Sequence, residues 1–336
     1  MIPIVGIAAL FGPPLPARNA ADTAIKQAAA DIGFMTITGF PGGDLLTPAA
    51  RARLLRIFAL PDAEKAKLLR WAFDPSRPNV YRGWFPLQNG FPSHKEGIDM
   101  GPDVAHGANR VDASDPLREA TPLPPEALLP GWRAAVADHY LAMERIGAAL
   151  MRAIARGLDL PETTFDAAFE GGNSSLRLAR YPIRTPTSLK GADPAALQVT
   201  VDGTRRWLTN VEHVDSGFVT LLAQDGVSGL QAQARDGRWV DVPPTEGTLA
   251  VNFGKVLERW TGGRIRATAH RVIAPERERF SIPFFYEPRI DAEIAPLPLP
   301  DVAAFEPFLY GDHLWAATTK FVEQRGIAHL RPPRRT

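Results

Sequence analysis

Glu212-His213-Val214-Asp215-Ser216-Gly217, taken with Thr268-Ala269-His270 and Arg279-Phe280-Ser281, decides how this chain is read. Side chains alternate along a strand with a period of two, so a strand through His213 and Asp215 projects both to one face as ligands of one metal. His270, from a distant strand, completes three ligands on one side of the ion. Two imidazoles and one carboxylate, with the opposite positions open, form the facial set that suits non-haem Fe(II) and O₂. Open positions mean catalysis rather than structure. Imidazole suits several metals, so the ligand types alone leave zinc open as well. The other histidines, His94, His106, His139, His313 and His329, are assigned no metal role.

Outward from these residues, the chain from about Ser174 onward consists of short apolar runs separated by Gly, Pro and Asp. Thr220 to Ala223, Gly229 to Ala234, Arg238 to Val242, Thr248 to Phe253, Arg271 to Ala274 and Phe280 to Tyr286 have the spacing of a double-sheet barrel or sandwich. Leu176 to Pro182 alternates Leu with polar residues and reads as a further strand, ending at the proline. Arg279 and Ser281 stand two apart on a predicted strand and share a face. A hairpin turning at Ile273 to Glu276 would set Arg279 across from His270, beside the metal. A guanidinium grips a carboxylate bidentately and a neighbouring hydroxyl adds a third bond, so the pair is a candidate carboxylate anchor. The plainer alternative is an ordinary arginine on a charged strand end, since Arg277 and Arg279 flank Glu278.

The ordered text of the C-terminal half resembles the isopenicillin N synthase-like branch of the Fe(II)- and 2-oxoglutarate-dependent dioxygenases. The resemblance runs through Glu212 to Gly217, Thr220-Leu221-Leu222, Gln224-Asp225, Gly229-Leu230-Gln231, Trp239, Val242-Pro243-Pro244, Val251-Asn252-Phe253-Gly254, Trp260-Thr261, His270-Arg271-Val272 and Ser281-Ile282-Pro283-Phe284-Phe285. It implies an α+β, mainly β chain with a distorted jelly-roll (double-stranded β-helix) core and the metal inside its mouth. It selects Fe(II) at His213, Asp215 and His270, with O₂ as oxidant. Arg279 and Ser281 would hold the distal carboxylate of the cosubstrate 2-oxoglutarate, whose other end chelates iron. Tyr181 matches a tyrosine that the family turns toward a cosubstrate or substrate carboxylate; a strand-end residue that merely packs is the alternative. The implied reaction couples decarboxylation of 2-oxoglutarate, to succinate and CO₂, with hydroxylation, desaturation or cyclisation of a small organic substrate. Arg180-Tyr181-Pro182 departs from the Asn-Tyr-Tyr-Pro of many plant-type members and is closer to isopenicillin N synthase, which oxidises its peptide substrate without 2-oxoglutarate. An oxidase of that kind, and a non-catalytic metal- or ligand-binding module, are the alternative readings.

Substrate contacts are expected from the less family-like segments. Tyr81-Arg82-Gly83-Trp84-Phe85 and Lys95-Glu96-Gly97-Ile98-Asp99 resemble family text that approaches the barrel mouth. Tyr81, Trp84 and Phe85, with Phe285 and Tyr286, are candidate pocket walls, and Arg82 or Arg177 could meet an acidic group. A packed aromatic cluster with surface arginines is the competing expectation.

The rest of the chain frames this core. Ile2 to Ile7 and Phe34 to Thr38 read as strands. Ala20 to Asp31 reads as a helix closed by Gly33, and Thr47-Pro48 as the cap of a helix running to about Leu60. A second helix is expected from Asp62 to about Trp71. Thr121 to Pro130 is a Pro-rich linker into a long helix striped with Val136, Tyr140, Met143, Gly147, Leu150 and Ile154, which is expected to back the sheet. The organisation expected is an N-terminal helix-rich lobe (1–120), linker and backing helix (121–173), catalytic core (174–290) and C-terminal extension (291–336). The chain has 336 residues and a formal net charge of +1, which gives no basic face for nucleic acid. Its lack of cysteine excludes a disulfide framework or thiolate site. No apolar run reaches membrane-spanning length and the first residues lack the features of a secretory signal, so cytoplasm is the expected compartment. Arg331-Pro332-Pro333-Arg334-Arg335 is expected to be a frayed tail, and nothing in the sequence sets an oligomeric state.

Overall fold

The computed structural model describes residues 1–88, 93–300, 302–324 and 326–334. Its strands are β1 Ile4–Gly6, β2 Phe34–Thr38, β3 Gly83–Phe85, β4 Glu96–Met100, β5 Ser175–Tyr181, β6 Gln198–Val201, β7 Thr204–His213, β8 Val219–Gln224, β9 Leu230–Gln233, β10 Trp239–Asp241, β11 Leu249–Phe253, β12 His270–Ile273, β13 Arg279–Tyr286, β14 Glu293–Ile294 and β15 Phe308–Leu309. Eight of them form one sheet in the order β1-β2-β11-β8-β13-β5-β4-β3, and five form a second in the order β10-β9-β12-β7-β6. From β7 to β13 the chain passes repeatedly between the two sheets, the course of a jelly roll.

The period-two pattern of the large sheet sorts its residues onto two faces. Val219, Leu221 and Ala223 of β8, with Ile282, Phe284 and Tyr286 of β13, join the main core. Thr220 and Leu222, with Ser281, Pro283 and Phe285, line a cavity of about 330 Å³ on the other face. The long helix, Trp132–Gly157, covers the core face. All six residues of its predicted stripe are buried, and Tyr140 meets Phe284 edge-on at 4.9 Å. Gly147 is required there, because a Cβ would sit 2.5 Å from the Tyr286 ring.

The strands expected from sequence form, within a residue or two at each end. Thr47 caps its helix by accepting from the Ala50 amide at 3.3 Å. Gly33, with φ of +66°, ends the helix Pro16–Asp31. Three expectations are corrected. The 273–276 segment is not a hairpin turn: β12 pairs with β7 and β9, while β13 pairs with β5 and β8, so the chain there crosses from one sheet to the other. The helix from Asp62 ends at Ala66 rather than near Trp71. Beyond it the Trp84 amide donates to the Leu68 carbonyl and the Arg70 amide to the Trp84 carbonyl, which draws the backbone off the helix. The N-terminal region, expected as a helix-rich lobe of the one catalytic domain, contributes β1 to β4 to the large sheet. The C-terminal end does not fray through Arg334. Arg331, 5% exposed, pairs with Asp115 and Asp312, and Arg334 with Asp115; Arg335 lies outside the described residues.

Candidate metal centre and active site

β7 ends at His213, and the chain turns so that Asp215 lies two residues beyond the strand rather than on it. β12 begins at His270, directly across from His213 in the register. Pairing of the two strands thus brings the imidazoles together, with ring centroids 4.2 Å apart. Asp215 Oδ1 lies 3.9 Å from His213 Nε2 and 3.7 Å from His270 Nε2. The three ligand atoms lie within 4.8 Å of one another, and among the described residues no other group of His, Cys, Asp and Glu meets that test.

The surroundings assign every other polar atom of the triad. His213 Nδ1 donates to the Val211 carbonyl at 2.9 Å and His270 Nδ1 to the Thr268 carbonyl at 3.1 Å. A carbonyl only accepts, so each Nδ1 carries a proton, and each Nε2 is the nitrogen turned toward the metal site. Asp215 Oδ2 accepts from Thr220 Oγ1 at 2.6 Å and Asn252 Nδ2 at 2.7 Å, leaving Oδ1 to the metal. Thr220 and Asn252 are themselves cross-strand partners on β8 and β11. Burial, with His270 nearby, lowers the His213 pKa to about 4, so its ring is neutral near pH 7. Burial raises Asp215, but the two imidazoles and the bonds from Thr220 and Asn252 outweigh it and hold the carboxyl below its ordinary value. Two imidazoles and a carboxylate, each oriented from behind, fit a divalent cation.

Arg279 opens β13 opposite Tyr181 of β5, in the sheet facing the triad. Its side chain is 1% exposed. Nε donates to the Val227 carbonyl at 3.3 Å, while Nη1 has no partner among the described residues. The guanidinium lies over the Tyr181 ring, 5.0 Å from its centroid, and the Tyr181 hydroxyl is 3.4 Å from Ser281 Oγ. Burial raises the Tyr181 pKa, but Lys95, Arg279, Ser281 and Arg177 together bring it below the ordinary value. A buried guanidinium with an idle nitrogen, beside two hydroxyls, is a cradle for a carboxylate and fits a dicarboxylate cosubstrate.

The aromatic candidates separate. Tyr81 and Phe285 line the cavity. Trp84 and Phe85, 2% and 0% exposed, do not: Trp84 packs on Phe58, and Phe85 lies beneath the guanidinium groups of Arg70 and Arg177, 5.1 Å from each. Tyr286 faces the long helix. Arg82 is corrected as well. It is 1% exposed, its Nη2 donates to the Leu117 carbonyl and Asn173 Oδ1 at 3.0 Å each, and its guanidinium also lies against Ser175 and Gly101. Arg177 does line the cavity, but with its guanidinium clamped on Asp99.

Sequence reasoning missed Thr220 and Asn252 as supports, although a polar residue at a buried strand position is a readable signal. It also missed the C-terminal segment. Helix Tyr310–Thr318 and the turn after it bring Leu314, Phe321 and Glu323 to the cavity. Tyr310 bonds Glu287, whose carboxyl burial pushes up to about 8. No motif marks that segment as part of the site.

Comparison with known proteins follows the same lines. The family model of the 2OG-Fe(II) oxygenase superfamily matches residues 200–288. The chain is 32% identical over 279 residues to 2-oxoglutarate-dependent dioxygenase htyE of Aspergillus rugulosus, covering 77% of this chain and 78% of that one. It is 29% identical over 333 residues to isopenicillin N synthase of Streptomyces clavuligerus, covering 97% of each. A full-length protein of Neurospora crassa, solved in complex with alpha-KG, shares the fold with a TM-score of 0.77 at 23% identity, covering 95% of this chain and 96% of that one. Identity at the htyE level over most of both chains is more than a shared fold, and this chain belongs to the 2OG-Fe(II) oxygenase superfamily of non-haem iron oxidoreductases.

Proposed function

We propose that this protein couples oxidative decarboxylation of 2-oxoglutarate to hydroxylation, desaturation or cyclisation of a small organic molecule. His213, Asp215 and His270 hold Fe(II); Arg279 and Ser281, with Tyr181, hold the distal carboxylate of 2-oxoglutarate. Residues 174–290 form the catalytic core. The observation that carries this reading is the buried, partly unbonded Arg279. A buried charge without a counter-ion costs several kcal/mol, so the fold retains it for an anion that arrives from outside.

When bound, iron with 2-oxoglutarate supplies the activation of O₂ and the oxidant for a substrate C–H bond. The chain supplies placement. Thr220 and Asn252 aim Asp215, the two backbone carbonyls aim the imidazoles, and Phe285 and Tyr81 line the cavity onto which the triad opens. A small-molecule substrate agrees with the Neurospora crassa protein, which was also solved with thymine. Fe(II) and 2-oxoglutarate belong to reducing metabolic pools, and the cytoplasm is the compartment proposed; no helix among the described residues is long and apolar enough to cross a membrane.

The near end-to-end match to isopenicillin N synthase favours one second reading, an oxidase that takes all its electrons from the substrate, with Arg279 gripping the substrate instead. Anaerobic titration separates the two. Fe(II) and 2-oxoglutarate are expected to give a metal-to-ligand charge-transfer band, and admission of O₂ to release succinate. Arg279→Leu should weaken 2-oxoglutarate about 30- to several thousand-fold, the loss of a desolvated charged hydrogen bond worth roughly 2–5 kcal/mol, while iron stays bound. A wild-type protein that shows no band and consumes O₂ without forming succinate supports the oxidase.

A further inference from the structure

The same cavity carries an ionic shell that is distinct from the three metal ligands. Lys95, leading into β4, and Glu323, in the turn after the C-terminal helix, are 8% and 7% exposed and pair at 2.9 Å. Ser93 Oγ lies 3.3 Å from the same Glu323 oxygen. Arg177 grips Asp99 through Nε and Nη2, at 2.6 and 2.8 Å, which leaves Nη1 over. Arg70, fully buried, donates to Asp99 from behind. Among the paired groups, Arg70, Lys95 and Arg177 against Asp99 and Glu323 make three positive charges to two negative, an excess of one, and Lys320 lines the same cavity as a further cation. Glu287 adds no charge near neutrality, as described above.

The two carboxylates of the shell differ in how they are held. Asp99 is fixed within the sheet, paired across β4 and β5 with Arg177 and locked by two guanidinium groups. Glu323 comes from the turn after the C-terminal helix and is bonded by Lys95 and Ser93. Lys95 and Arg177 both pull on it, and against the effect of burial they bring its pKa down to about 2. Around this shell the wall is apolar, through Phe285, Leu314 and Phe321.

We propose that the shell is the substrate's anion subsite, and that the substrate is a small carboxylic acid with an apolar body. Its carboxylate meets Lys95 and the spare Nη1 of Arg177, and Glu323 is the internal stand-in that shares Lys95 until substrate arrives. Burying an anion there neutralises the excess charge, whereas a neutral or cationic molecule leaves it uncompensated. The inference rests on the oxygenase reading above.

The test uses the anaerobic protein loaded with Fe(II) and 2-oxoglutarate and a panel of aromatic and aliphatic monocarboxylic acids, each paired with its primary amide. Binding is read from perturbation of the charge-transfer band and from the shift in melting temperature. At least one acid is expected to bind about tenfold or more tighter than its amide. Lys95→Met should erase that preference while the band persists, and Lys95→Arg should restore it. Glu323→Gln removes the competitor: acids should tighten several-fold, amides should not, and the empty variant should melt lower and recover with acid alone. Should Lys95→Met fail to fold, Glu323→Gln decides. The proposal is overturned if the band forms and no acid of the panel outbinds its amide, or if the preference is unchanged in both variants. Absence of the band counts against the oxygenase reading instead.

Discussion

The two sets of charged groups in the cavity are held in opposite ways. At the metal end every ligand has its far atom engaged by the protein and its near atom free: Nδ1 on a carbonyl, Oδ2 on Thr220 and Asn252, and beside them Arg279 with an idle nitrogen. In the ionic shell each carboxylate already has a cation from the same chain, Glu323 with Lys95 and Asp99 with Arg177 and Arg70. The first arrangement accepts a foreign ion without moving anything. The second must exchange one partner for another. Groups that every turnover needs are pre-organised, and the group that tells substrates apart is balanced internally until it is used.

The harshest way to break this contrast is at the metal end. Asp215→Ala and His270→Ala each remove one of three ligands, and anaerobic dialysis with metal analysis should find about one Fe(II) per wild-type chain and little in either variant. Full iron occupancy in both would dismantle the assignment of the triad. Trp84 and Phe285 sharpen the line between core and wall. Trp84→Ala empties a site 2% exposed and should cost about 3–5 kcal/mol in denaturant titration. Phe285→Ala, at the cavity, should barely shift the melting temperature but release more succinate per product, since a loosely held substrate drifts out of reach. Equal destabilisation by both would mean that Phe285 is core too. The smallest effect tests whether the free atoms of the triad are aimed from behind. Asn252→Ala keeps all three ligands and should weaken iron roughly 10- to 100-fold; unchanged affinity would show that Thr220 alone orients Asp215.

Much of this site is legible without any fold. The triad, Arg279, Ser281 and Tyr181 all stand in the sequence as residues of the right chemistry at readable spacing. The route by which they meet is not. Arg279 does not lie across a hairpin from His270; the two belong to different sheets, and Arg279 is opposite Tyr181. The result survives because Arg279, Ser281, Pro283 and Phe285 keep to one face of β13 whichever strand they pair with. Arg82 and Phe85 fail as substrate contacts for the complementary reason: nothing local distinguishes a guanidinium aimed at a cavity from one consumed by Leu117 and Asn173, residues 35 and 91 positions away.

The sequence by itself determined which residues share a face, where the long helix carries its apolar stripe, and which side chains can bind a metal. Those properties follow from the strand and helix periods and from the donor atoms, and they act over a few residues. Only the tertiary structure decided which strands pair, that Asp215 reaches the imidazoles from beyond the end of β7, and that Glu323 closes on Lys95 across 228 residues of chain. Such contacts come from burying surfaces contributed by distant segments, and no local period encodes which of many apolar faces and opposite charges will meet.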